Sequence, residues 1–180
     1  STYWEETLNL KLPWRKVHQQ LWKAPVQGKS KDLAWLILRR SLFTGATAKQ
    51  QDSNSIPHLC HCGALETTEH IFLDCPAARE VWNVVSDRWT LSFRTKWRTP
   101  TSLSMATAGI KHEHRMPKWL NTLWQIIYLT TIYSIWIGRC HNVYEGPPSS
   151  SIGRLVVNMR RSYRLLQRIR PDLRGLPFFN

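Results

Sequence analysis

HLCHCGALETTEHIFLDC, residues 58–75, is the stretch on which the fold turns. Cys60, Cys62, His70 and Cys75 give the order Cys-x-Cys-x7-His-x4-Cys, a close pair and a wider pair around a seven-residue loop. Zinc takes four nitrogen or sulfur ligands in a tetrahedron, and a compact Cys3His set supplies them. Gly63, directly after Cys62, suits a tight turn whose backbone N–H groups point at the thiolates. Thr67 is placed to cap a helical turn carrying His70, and Cys75 stands at the start of the next helix. Disulfides are the competing use of these thiols, but Cys60 and Cys62 are too close for an easy mutual bond and nothing indicates secretion. Four protein ligands leave no coordination position for water, so one Zn2+ is expected here in a structural role.

Helices flank this segment. Upstream, Lys16–Lys23 reads as a short helix ending near Pro25, and a second starts after Ser30 and runs through KDLAWLILRRSLF toward Gly45. Leu33, Leu36 and Ile37 mark its buried face, and Thr44–Pro57 reads as polar loop. Downstream, Pro76 suits the first position of a helix, where Ala78, Val81, Trp82, Val85 and Trp89 form a continuous stripe. Residues 90–116 look irregular. Pro117 then opens a long apolar helix that stops at Gly146-Pro147-Pro148, and a last helix covers about Ile152–Ile169. With no convincing strand pair, the expected fold is all-α: one domain over 1–180, with a zinc-binding core at 14–89, an apolar helix at 117–145 and an Arg-rich amphipathic helix at 152–169.

The apolar helix needs a membrane check. The 20 residues between Lys118 and Arg139 carry no charge, and 13 are apolar or aromatic. Asn121, Gln125, Thr130, Thr131 and Ser134 interrupt them, while Leu120, Trp124, Ile127, Thr131 and Ile135 recur at helical spacing. That pattern favours a buried core helix over a membrane span. Ser1–Lys11 has no basic start and no apolar run, so no secretory signal is visible, and an intracellular place, nuclear or cytoplasmic, is expected. The chain opens at Ser1 and not at a methionine, which points to a processed product or a piece of a longer protein.

The chain carries 25 Lys and Arg against 12 Asp and Glu, a net charge of +13, and ten tryptophans that argue against disorder. A folded domain this basic commonly meets polyanions. The charge is unevenly spread: +5 over residues 1–57, −3 over 58–93, +5 over 94–145 and +6 over 146–180. The cysteine segment is thus the acidic one, and phosphate contact is expected from the flanking helices.

On a helical wheel of about 100° per residue, Ile152, Leu155, Val156, Met159, Tyr163 and Leu166 share one stripe. Arg154, Arg160, Arg161, Arg164 and Arg168 fall on the opposite face, and their guanidinium forks suit phosphate oxygens. Arg94, Lys96 and Arg98 around Trp97 form a second basic cluster, in which the indole can stack on an exposed base. The expected partner is RNA or DNA; an acidic protein partner, or an acidic membrane surface, is the alternative for the same helix.

The run CHCGALETTEHIFLDCPAAREVW resembles the zinc-binding segment that follows the reverse transcriptase domain in LINE-type (non-LTR) retrotransposon proteins. The resemblance rests on Cys60, Cys62-Gly63, Glu66-Thr67, His70-Ile71-Phe72, Cys75-Pro76, Ala78 and Val81-Trp82. Trp14, Leu21-Trp22, Lys31, Trp35, Leu42 and Gly45 are similar to that family's lead-in helices, and Ile135–Glu145 to its trailing helix. The family separates its first two cysteines by two residues, and here only His61 intervenes. Either the turn is tightened, or His58 or His61 takes the place of Cys60. The resemblance implies an RNA- or DNA-binding accessory domain of target-primed reverse transcription, part of such a protein or a stand-alone descendant with a new partner. No Tyr-x-Asp-Asp-like polymerase motif, nuclease acid set, nucleophile triad or phosphate-cradling glycine loop occurs, so a non-enzymatic role is expected.

Overall fold

A computed structural model describes residues 2–93, 99–109 and 118–144, together with the isolated positions 157, 160, 164, 167 and 168. The described helices are α1 (Thr2–Leu8), α2 (Trp14–Lys23), α3 (Gly28–Leu38), α4 (Gly45–Gln50), α5 (Pro76–Phe93), α6 (Ser102–Ala106) and α7 (Lys118–Tyr144). One π-helical turn, His70–Asp74, precedes α5. Among the described residues there is no strand, only an isolated antiparallel bridge between Leu59 and Leu65. The fold is all-α, as the residue pattern implies.

α7 is the axis. All ten residues from Leu123 to Ile132 are buried, so the helix is covered around its whole circumference, with Gln125 and Thr131 hydrogen-bonded inside it. Neighbours cover it on several sides: α3, α5 and the π turn all pack on it, and Gln125 Nε2 donates to the Ala108 carbonyl just after α6. Trp124 and Tyr128 stack in parallel at 5.4 Å, and Trp82 of α5 lies on Tyr128 at 5.9 Å. No helix among the described residues is long and apolar enough to cross a membrane. On α5, the stripe Ala78, Val81, Trp82, Val85 and Trp89 is buried throughout.

The helix ends differ most from the sequence reading. α3 starts at Gly28, before Ser30, which is buried inside the first turn and is not the cap. It stops at Leu38, short of Phe43, and Leu36 is exposed where burial was expected. The stop is a Schellman motif: Ser41 N–H donates to the Leu36 carbonyl and Arg40 N–H to that of Ile37. Arg40 takes the left-handed position at φ 56° without being glycine. Its side chain is held by Glu69 and lies over the Tyr3 ring, which supplies what glycine's freedom otherwise would. Asn9, Asp52 and Ala108 close α1, α4 and α6 with the same pair of bonds, each at positive φ.

Further corrections follow from short helices. Residues 44–57 are not simply loop: they contain α4, capped by Thr44 Oγ1, which accepts from Thr47 N–H. Residues 90–116 contain the end of α5 and α6, the latter opened by a Thr101–Ser104 capping box. α1 buries Trp4 completely and donates its indole N–H to the Leu38 carbonyl at 2.9 Å. Arg94, Lys96 and Arg98 lie outside the described residues, as do Arg154 and Arg161.

Candidate metal centre

The segment 58–66 folds back on itself. Cys60 N–H donates to the Ala64 carbonyl and Glu66 N–H to that of His58, while Gly63 N–H closes the turn onto the Cys60 carbonyl at 2.8 Å. Gly63 sits at φ 85°, a conformation that favours glycine. The turn aims backbone donors at sulfur: the N–H of Cys62 faces the Cys60 thiol and that of Ala64 the Cys62 thiol.

The second pair of ligands comes from the π turn. Thr67 Oγ1 accepts from His70 N–H at 3.0 Å and starts the turn; Cys75 N–H donates to the His70 carbonyl at 2.8 Å and ends it. Residues five apart stand about 140° from each other on an α-helix. The i→i+5 bond of a π turn instead brings the fifth residue back toward the first. The x4 spacing between His70 and Cys75 therefore requires this winding. Cys75 then caps α5, its carbonyl accepting from Arg79 N–H at 2.9 Å.

These pieces bring Cys60, Cys62, His70 and Cys75 together, with one ligand atom from each lying within 4.8 Å of the others. Cys60 Sγ is 3.7 Å from Cys75 Sγ, and Cys62 Sγ is 3.3 Å from His70 Nε2. A zinc tetrahedron with ordinary bond lengths needs about 3.8 Å between sulfurs and about 3.5 Å between sulfur and nitrogen. The donor set fits that ion. Burial pushes the Cys60 thiol up to about 12, and the Cys75 charge adds to this, whereas the Ala64 N–H holds exposed Cys62 below the usual thiol range. A divalent cation between the sulfurs is what lets all three become thiolates.

The histidine alternatives separate cleanly. His58 turns its Nε2 to the Ser53 carbonyl at 2.8 Å, and His61 is exposed outside the cluster. Cys60 therefore holds its place through the tightened turn. No cysteine is in a disulfide. Cys140 lies apart on α7, half-buried beside Arg139, with its thiol pushed up by burial.

Residues 1–82 match the family described as zinc-binding in reverse transcriptase. The match begins earlier than the motif-based resemblance and takes in α1. It covers 82 of 180 residues and ends at Trp82, inside α5. No curated protein and no solved structure matches the chain. The family that this segment resembles is a zinc-binding one and not the catalytic reverse transcriptase domain, and together with the Cys3His set it supports one structural Zn2+.

The zinc-binding segment is also tied to α7, beyond the match. Glu66 is buried, and Arg139 grips it with both arms of its fork: Nε to Oε1 at 2.9 Å and Nη2 to Oε2 at 2.6 Å. Gly45 N–H adds a third bond to Oε2 at 3.0 Å. A Cβ on Gly45 would lie 2.5 Å from the His58 carbonyl oxygen, so only glycine lets the two backbones approach. Sequence reading noted Glu66, Gly45 and Arg139 as parts of a familiar pattern without a role. Their role is to lock the knuckle onto the core. Trp82 completes the attachment by donating to the Phe72 carbonyl of the π turn at 2.7 Å.

Of the five expected arginines on the last helix, three are described. Arg160, Arg164 and Arg168 are each helical and exposed.

Proposed function

We propose that this chain is a non-catalytic, zinc-stabilised nucleic-acid-binding domain, part of or derived from a non-LTR retrotransposon reverse transcriptase protein, working in the nucleus or cytoplasm. A closed Cys3His set supports a structural metal and gives no position for an activated water. The Glu66–Arg139 lock supports reading residues 1–180 as one domain, because it joins the zinc segment to the helix beyond the family match. The observation that carries nucleic-acid binding is the division of charge. The zinc segment and α5 are net negative, while Arg160, Arg164 and Arg168 are helical and exposed. Guanidinium groups spaced along a helix are suited to successive phosphates.

The test is RNA and DNA binding across a salt series. Binding is expected to weaken steeply with salt, and replacing Arg160, Arg164 and Arg168 by glutamine should lower the slope by about one unit per arginine. No binding at low salt, or a slope unchanged by the triple substitution, would overturn the proposal.

A second reading keeps the fold and exchanges nucleic acid for an acidic protein. It is favoured by the same exposed arginines, which would meet its acids, and by a cavity of about 620 Å3 beside the metal centre, walled by Leu59, Ile71, Val81, Ile135 and Val143 among others, that suits an apolar side chain of such a partner. Binding of an acidic protein without any binding of nucleic acid would select it.

A further inference from the structure

A further basic stretch among the described residues runs through α2 and α3. Residues 11–40 carry eight Lys and Arg against one acid, Asp32, a net charge of +7. This exceeds the +6 of residues 146–180. Most of these bases are exposed, and tryptophans stand among them.

Trp14, His18, Trp35, Leu38 and Arg39 line a cavity of about 340 Å3, at the small end of ligand pockets. His18 meets the Trp35 ring edge-on at 4.6 Å, and the Arg39 guanidinium lies over that ring at 5.4 Å. Trp22, 48% exposed, lies 6.4 Å from Trp35, and Lys31 Nζ donates to the Trp22 carbonyl. The Trp35 indole thus has a guanidinium over it, and Lys31 is tied to the backbone of Trp22. The Trp14 indole N–H is buried and meets no acceptor among the described residues.

Trp14 and Trp35 rest partly on the core, and exposed Trp22 beside Trp35, with the Arg39 guanidinium over the Trp35 ring and exposed basic residues around, makes a platform for flat rings on a negatively charged backbone. We infer that the α2–α3 surface is a stacking site for unpaired nucleobases, with Trp35 and Trp22 taking the bases and Arg39 and Lys31 the adjoining phosphates. The inference rests on the nucleic-acid reading above and adds to it a second site, specific for single strands. A duplex hides its ring faces and is held by the bases of this surface through charge alone.

The zinc-loaded full chain is titrated into labelled probes of about 12 nucleotides: an oligouridine RNA, an oligothymidine DNA and a duplex. Trp35→Ala is expected to weaken single-strand binding about ten-fold while duplex affinity changes by less than about two-fold and the salt slope is kept. Trp35→Phe should restore most of the loss, because a ring remains. Trp22→Ala, at an exposed position that leaves the core intact, should show a smaller loss of the same kind. Tighter wild-type binding of the RNA or of the DNA probe identifies which strand the platform serves. The inference is overturned if the duplex loses as much as the single strands, or if neither alanine variant weakens single-strand binding that the wild type shows. Wild-type protein that binds no probe overturns the nucleic-acid reading, and this site with it.

Discussion

The zinc segment, residues 58–75, and helix α7 lie against each other but are stabilised by different physics. α7 is held by burial, with ten consecutive residues out of solvent and aromatic rings stacked on two sides. In the zinc segment burial is confined to the second half, where Ile71 and Phe72 of the π turn join the core. In the loop before it Leu59 and Leu65 are 56% and 40% exposed, and order comes from a few backbone bonds, the metal and one buried carboxylate. Packing is distributed, so that no single residue decides it. Ligation is concentrated, and each ligand is indispensable. The two regions should accordingly fail in different ways.

The largest effect is expected from removing the metal. Structural zinc contributes on the order of 10–16 kcal/mol to the domains that depend on it. Chelation, or Cys75→Ser, should open residues 58–75 while the central amides of α7 stay protected from hydrogen exchange. Simultaneous loss of protection in α7 would show that one cooperative unit spans both regions. Next comes the lock between them. Arg139→Met leaves the Glu66 carboxylate buried without its partner and should cost about 3–5 kcal/mol in denaturant unfolding. Adding Glu66→Leu should recover most of that, since the stranded charge is then gone; no recovery would mean that Arg139 acts through packing alone. Smallest is a trim inside α7: Ile127→Val should cost about 0.5–1.5 kcal/mol and leave zinc content unchanged.

What could be read from the sequence follows the same division. The long helices were legible because their apolar stripes are periodic, as at Ala78–Trp89, and because Pro76 marks the start of α5. The four ligands were legible because metal chemistry restricts residue type and spacing. The ends of α1, α3 and α4 were not, since their left-handed caps are Asn9, Arg40 and Asp52. Arg40 is tolerated there because Glu69 and Tyr3 hold its side chain, which is a tertiary fact. α4 escaped notice because six residues give too short a pattern for periodicity. Glu66 and Arg139 are 73 residues apart, and no local signal relates them. The basic and aromatic face of α2 and α3 did have a signal, eight bases and three tryptophans within residues 11–40. It was masked by counting charge over a longer stretch that includes acids elsewhere.

The central claim is that Cys60, Cys62, His70 and Cys75 hold one structural zinc despite the one-residue spacing of the first pair. X-ray absorption at the zinc edge, on protein purified without added metal and quantified per chain, tests it directly. The account predicts one zinc per chain with three sulfurs at about 2.3 Å, one nitrogen at about 2.0–2.1 Å and no water oxygen. A two-sulfur, two-nitrogen shell would mean that His58 or His61 displaces Cys60, and less than one zinc per chain would contradict the account outright.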